Sequence, residues 1–191
     1  MNLGNTIRLF IDTEFTDFVN CDLISIGLAA DNGSEFYGEN SDFQREYASE
    51  WVQLNIYPLL DFSKHGMKRN ELSARLWCWL DELPCTNFIV SVDYQTDYDL
   101  LYDLLGEAHP KQLAVQNIFN NMYKYADEQI IAMGGSDTDY QNKVKSLKSQ
   151  FQLGFMEYFW TTKETQHHAL SDAKANRAGY SRLINSFGLP L

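Results

Sequence analysis

Four carboxylates and a histidine are spread along the chain as Asp12-Thr13-Glu14, Asp97 and His167-His168-Ala169-Leu170-Ser171-Asp172. Asp12 and Glu14 close an apolar run, Ile7-Arg8-Leu9-Phe10-Ile11, that predicts a buried strand. Residues two apart on a strand share a face, so both carboxylates point the same way. Side by side in a low-dielectric site they repel, and a hard divalent cation such as Mg²⁺ relieves the repulsion. With Asp97 and Asp172 added, the set has the composition of a two-metal site for phosphoryl transfer. A histidine whose pKa lies near neutrality suits the proton transfer such a site needs.

Apolar periodicity places these residues on elements. A second apolar run covers Asp22 to Ala30, Asp31-Asn32-Gly33-Ser34 supplies a turn, and Glu35 to Gly38 starts a third strand. Spacing of three and four predicts helices over Phe43–Leu60 and Asn70–Leu83, the second capped by Asn70 and followed by Pro84. Phe88 to Val92 predicts a fourth strand that stops just before Asp93, and a helix follows from Thr96 to Leu105 with Gly106 as its stop. Leu113 to Ile118 predicts a fifth strand. Helices over Asn121–Met133, Asp139–Leu153 and Ala169–Phe187 complete the chain, the last closed by Gly188 and Pro190. The whole predicts an α/β protein, a mixed central five-stranded sheet flanked by helices with a site on one rim.

The 191 residues, 45% of them hydrophobic, suit a single domain across 1–191 with a substantial core. The three cysteines, Cys21, Cys78 and Cys85, show no zinc or redox spacing and predict free or buried thiols in a reducing cytoplasm. No signal-peptide pattern opens the chain and no apolar run reaches membrane-spanning length, so the expectation is a soluble, cytoplasmic protein without a membrane partner. A net charge of −11 argues against long, strongly held nucleic acid. Residues 141–191 are the exception, with seven basic and three acidic side chains. Within them Lys143, Lys145 and Lys148, and the helical neighbours Lys174 and Arg177, are candidates for a phosphate-facing rim, set against the ordinary reading of a solvated helix face. Aromatic residues such as Trp77, Trp79 and Trp160 leave a homodimer open, although such residues more often belong to a core.

The ordered motifs resemble a known family. Asp12-x-Glu14, an aspartate in the helix after the fourth strand, and His167-x-Ala169-Leu170-x-Asp172-Ala173 are similar to the three exonuclease motifs of the DEDDh superfamily, whose fold is ribonuclease H-like. The wording Phe10-Ile11-Asp12-Thr13-Glu14-Phe15 resembles most the small stand-alone 3′-to-5′ exoribonuclease branch of bacteria and phages, and the similarity runs from residue 7 to about residue 183. The middle motif departs from the usual pattern: Asp93-Tyr94-Gln95-Thr96-Asp97 stands where many relatives have Asn four residues before the ligand and Phe immediately before it. The apolar pair Leu100-Leu101 sets the ligand at Asp97, with Asp93 and Asp99 as alternates.

The resemblance implies two Mg²⁺ ions, with Mn²⁺ as a substitute, held by Asp12, Glu14, Asp97 and Asp172. It implies His167 as general base, with His168 in the motif's variable position. It also implies that Thr13, Phe15 and Thr16 seat the terminal nucleotide of single-stranded RNA or DNA 3′ ends, RNA being favoured. His65 and His109 have no partner at useful spacing, and His65 lies in a short basic loop, Lys64 to Arg69.

Overall fold

The structure is a computed structural model that describes residues 6–106 and 113–189. Its strands are β1 (Thr6–Phe15), β2 (Leu23–Ala30), β3 (Glu35–Asn40), β4 (Gly66–Met67), β5 (Asn87–Val92) and β6 (Leu113–Asn117). Its helices are α1 (Glu50–Asn55), α2 (Phe62–His65), α3 (Arg69–Glu82), α4 (Gln95–Leu105), α5 (Ile118–Met133), α6 (Asp137–Thr162) and α7 (Ala169–Phe187). The strands form one mixed sheet in the order β4-β3-β2-β1-β5-β6. β1–β2 and β2–β3 are antiparallel, whereas β1–β5, β5–β6 and β3–β4 are parallel.

β1 divides the two cores by alternation. Leu9 and Ile11 pack with Leu72, Leu76 and Leu80 of α3 and with Leu100, Leu101 and Leu104 of α4. Phe10 turns the other way, toward Met122 of α5, Leu147 and Phe151 of α6 and Tyr180 and Leu183 of α7. The even-numbered residues of β1 therefore face α7, so Asp12 and Glu14 leave the strand on the side where α7 begins. All of β2 is buried, as expected of a strand covered on both faces.

Gly27 of β2 sets how close α7 comes. It pairs with Asp12 across the ladder, and a Cβ placed on it would lie 2.2 Å from the Leu170 nitrogen and 2.4 Å from the Ala169 carbonyl carbon. The first turn of α7 thus rests directly on the sheet beside Asp12. A second close approach joins α6 to α7, where a Cβ on Gly154 would stand 2.9 Å from the Ala178 oxygen and from the Gly179 Cα.

Several expectations need correction. The sheet has six strands: Gly66–Met67, inside the short basic loop, adds a two-residue edge strand beside β3. The helix expected over Phe43–Leu60 is three short pieces, a 3-10 turn at Arg45–Tyr47, α1 capped by the Ser49 side chain, and a second 3-10 turn at Tyr57–Leu59 that contains Pro58. Proline cannot continue a helix interior, and Ser49 starts a new one. α3 begins at Arg69 after Lys68, so Asn70 is not its cap. α4 begins at Gln95. α5 begins at Ile118 because the Asn117 side chain caps it, and β6 ends at Asn117. α6 starts two residues before Asp139, at Asp137, with Ser136 and Asp139 forming a capping box. It runs on to Thr162, because Gly154 is a packing residue within it. Trp77 and Trp79 pack against the core, whereas Trp160 is exposed. Pro190 and His109 lie outside the described residues. Among the described residues no helix is long and apolar enough to cross a membrane.

Gly27→Ala is expected to push the start of α7 off the sheet and to cost about 1–3 kcal/mol of stability, the usual range for over-packing a tight contact. Urea unfolding of the two proteins measures this, and an unchanged midpoint would contradict the close-approach account.

Candidate metal centre

Three elements deliver the acidic residues to one rim. β1 supplies Asp12 and Glu14, the β5–α4 junction supplies Asp93 and Asp97, and the first turn of α7 supplies Asp172, with His167 in the loop just before it. Two sets of possible ligand atoms lie within 4.8 Å of one another: Glu14, His167 and Asp172 in one, and Asp12, Asp93 and Asp97 in the other. Asp93 and Asp97 are therefore brought together. Asp99 is not, being exposed and accepting a hydrogen bond from Gln95 Nε2 at 3.0 Å.

Two of the carboxylates are held from behind. The Thr13 backbone N–H and hydroxyl both donate to Asp97 Oδ1, at 3.0 and 2.7 Å. The His167 backbone N–H donates to Asp172 Oδ2 at 2.7 Å, which fixes the loop to the helix. His167 itself has φ 63°, a left-handed conformation that costs a residue with a side chain of order 1–2 kcal/mol. Strain of this kind persists where the surroundings impose a particular side-chain direction. The Trp51 ring on α1 and the His167 ring form a T-shaped contact at a centroid distance of 5.1 Å and 88°.

The cluster is electrostatically loaded. Burial is the largest cause at every carboxylate, and the neighbouring negative charges add to it at most of them. Together they push Asp12 well above the ordinary aspartate range, Glu14 up to about 8, and Asp97 and Asp172 up to about 7 each. Burial raises Asp93 too. The Asn176 amide, 1% exposed and one turn beyond Asp172, favours the charged form of Asp93, although no strict hydrogen bond closes between them. A donor set made of carboxylate oxygens with one imidazole at its edge matches a hard divalent cation.

Other expected site residues are placed as follows. Thr13 is buried, with its N–H and hydroxyl engaged by Asp97. Thr16 is fully buried, and its hydroxyl donates to the Asn20 carbonyl at 2.5 Å and accepts from the Asp22 N–H at 2.9 Å, so it ties the loop after β1. Phe15 is half-buried against the core, and its ring meets exposed Phe18 edge-on at 5.1 Å, with exposed Tyr94 6.0 Å beyond. His168 turns away from the carboxylates and stacks on Tyr37 at 4.3 Å, with His65 on the edge of the same ring. Lys174 and Arg177 pair with Glu35, and Arg177 also donates to the Ala30 carbonyl at 2.7 Å. They line a cavity with Arg8, near the end of β1 remote from Asp12, and do not form the rim expected of them.

Gly27, Trp51, Phe18, Tyr94 and Asn176 are not among the site residues expected from the sequence. For Gly27 a signal existed, a lone glycine inside an apolar strand, which marks a close backbone approach. For Trp51 and Asn176 none did, since each comes from an element distant in sequence or from the inner face of a long helix.

No protein-family profile matches the chain. Two curated relatives from Mycobacterium tuberculosis are similar to part of it: the protein named 3′-5′ exoribonuclease Rv2179c, of strain ATCC 25618 / H37Rv, and the one named 3′-5′ exoribonuclease MT2234.1, of strain CDC 1551 / Oshkosh. Each is 37% identical over 71 residues, a stretch that covers 37% of this chain and 42% of the relative's own length. The match thus spans less than half of these relatives.

The raised carboxylates make a pH prediction. A carboxylate whose folded pKa lies above its unfolded value stabilises the fold at low pH and loses that contribution as pH rises through the folded value. In EDTA the unfolding midpoint should fall from about pH 5, just above the unfolded carboxylate values, to about pH 8, the value to which Glu14 is pushed up. Excess Mn²⁺ should reverse the fall and raise the midpoint more at the higher pH, because the cation binds the deprotonated groups. Thermal scans across that range check both, and equal cation effects at the two pH values would contradict it.

Proposed function

We propose that the chain is a metal-dependent 3′-to-5′ exoribonuclease of the DEDDh type, a single catalytic domain across residues 1–191 with a ribonuclease H-like fold. It would release nucleoside 5′-monophosphates from the 3′ ends of single-stranded RNA in the cytoplasm. The observation that carries this reading is the meeting of Asp12, Glu14, Asp93, Asp97 and Asp172 beside His167 on one buried rim. The 3′-5′ exoribonuclease activity for which the two mycobacterial relatives are named supports it.

In this reading Asp12, Asp93 and Asp97 would hold one Mg²⁺ ion and Glu14 and Asp172 would hold the other, with Mn²⁺ able to replace both. When bound, the two ions neutralise the charge that builds on the phosphate during in-line displacement. His167 stands at the exposed edge of the carboxylates and takes the proton from the attacking water. Its left-handed backbone, its N–H bond to Asp172 and the Trp51 ring together fix where the imidazole sits. Thr13 acts through Asp97, since both its donors hold that carboxylate. Phe15 and Phe18 offer ring faces and edges to the terminal base, while the buried Thr16 shapes the loop that carries them.

A 5′-labelled single-stranded RNA and the matching DNA, incubated with Mg²⁺, Mn²⁺ or EDTA, test the reading. The expected result is a metal-dependent ladder shortening from the 3′ end, faster on RNA. Asp12→Ala should abolish it, and His167→Ala should slow it by about 10²–10⁴-fold, the usual contribution of a positioned general base. Faster shortening of DNA would make the enzyme an exodeoxyribonuclease. A folded protein that shortens neither strand with either metal would overturn the proposal in favour of a binding module.

A further inference from the structure

An open groove of about 640 Å³ begins at Asp93 and runs outward between α5 and α6. Asp93 belongs to the same carboxylate set as Asp12 and Asp97, so the inner end of the groove adjoins the metal centre. Its far wall is chemically unlike that centre. Phe119 and Tyr123 present rings, Asn120 and Gln152 present amides, and among the described residues Lys148 contributes the one cation lining it. The Lys148 ammonium stands 5.0 Å from the Tyr123 ring centroid. Among the described residues Lys148 has no carboxylate partner, in contrast to Lys174 and Arg177, which Glu164 and Glu35 neutralise. Lys148 is thus an unneutralised cation on a rim otherwise dominated by carboxylates.

Uncharged amides, ring faces and a single cation, continuous with a phosphodiester-cleaving centre, match one occupant: a sugar-phosphate strand with its bases. We propose that this groove seats the nucleotides immediately upstream of the scissile phosphate, with Lys148 against a backbone phosphate and Tyr123 against a base. The inference rests on the exonuclease reading for the identity of the strand and on the groove's own lining for its path. One phosphate contact in a chain of net charge −11 makes the upstream grip weak and salt-sensitive, so long strands gain little over short ones and are released readily.

Fluorescence anisotropy with 5′-fluorescein single-stranded RNA of eight and of two nucleotides, in EDTA and over a range of salt, is compared with hydrolysis of both in Mg²⁺. Lys148→Ala should weaken octamer binding and flatten its log–log salt slope by about 0.7, the value for one phosphate on a single strand. Lys148→Glu should weaken it further. Tyr123→Ala should weaken octamer binding at least about fivefold, the lower end for losing one stacking face, and Tyr123→Phe should restore it. The dinucleotide, which places a single nucleotide upstream of its scissile phosphate, should lose less than the octamer, and Lys145→Ala, on the same helix but outside the groove, should affect neither length. Octamer binding that is unchanged by Lys148→Ala and Lys148→Glu overturns the groove, as does an equal loss on both lengths. Octamer binding that depends on Lys148, by a wild type that hydrolyses neither length, keeps the groove and overturns the exonuclease reading instead.

Discussion

Five carboxylates crowded on one largely buried rim is the constraint on which the rest of this structure depends. Burial disfavours their charged forms and their mutual repulsion adds to the penalty, which is why Glu14 is pushed up to about 8 and Asp97 and Asp172 to about 7. Anchors on two of the carboxylates and one close backbone approach hold the cluster together. The two donors of Thr13 fix Asp97, the His167 N–H fixes Asp172, and Gly27 lets the first turn of α7 lie on the sheet opposite Asp12. The anchors come from β1, β2, the β5–α4 junction and α7, so the site is a product of the tertiary fold and of no single segment.

The two cores explain how that fold holds the rim. The alternation of β1 sends Leu9 and Ile11 to the layer of α3 and α4 and Phe10 to the layer of α5, α6 and α7. The same alternation, continued past the core, sends Asp12 and Glu14 toward α7 while Thr13 meets Asp97 from α4. One strand therefore ties both helical layers to the site. The long α6 braces α7 from outside through the Gly154 contact, and it carries Lys148 to the mouth of the groove beside Asp93.

Much of this was legible in the sequence where the signal was local. The apolar runs of β1, β2 and β5 end where their acidic residues begin, and His167 and Asp172 lie within one helical start, so their proximity follows from chain geometry. Asp93 and Asp97 could not be separated in that way, because both flank the start of α4, and the structure brings both to Asp12 while turning Asp99 outward. Breaks in the region 43–60 were hidden by continuous apolar spacing, although Pro58 argued against one helix. The helix expected to end at Leu153 runs on to Thr162, and Gly154 within it permits close packing against α7. β4 pairs only two residues and leaves no periodic trace. The contacts of Trp51 with His167 and of Asn176 with Asp93 depend on how separate elements meet, which no local pattern encodes.

The most direct test of the central claim is anomalous X-ray diffraction from crystals of the protein equilibrated with Mn²⁺. Two strong peaks are expected on the acidic rim, one against Asp12, Asp93 and Asp97 and the other against Glu14 and Asp172. A rim that binds no Mn²⁺ at pH values where its carboxylates are ionised, in crystals whose fold matches the one described, would contradict the claim.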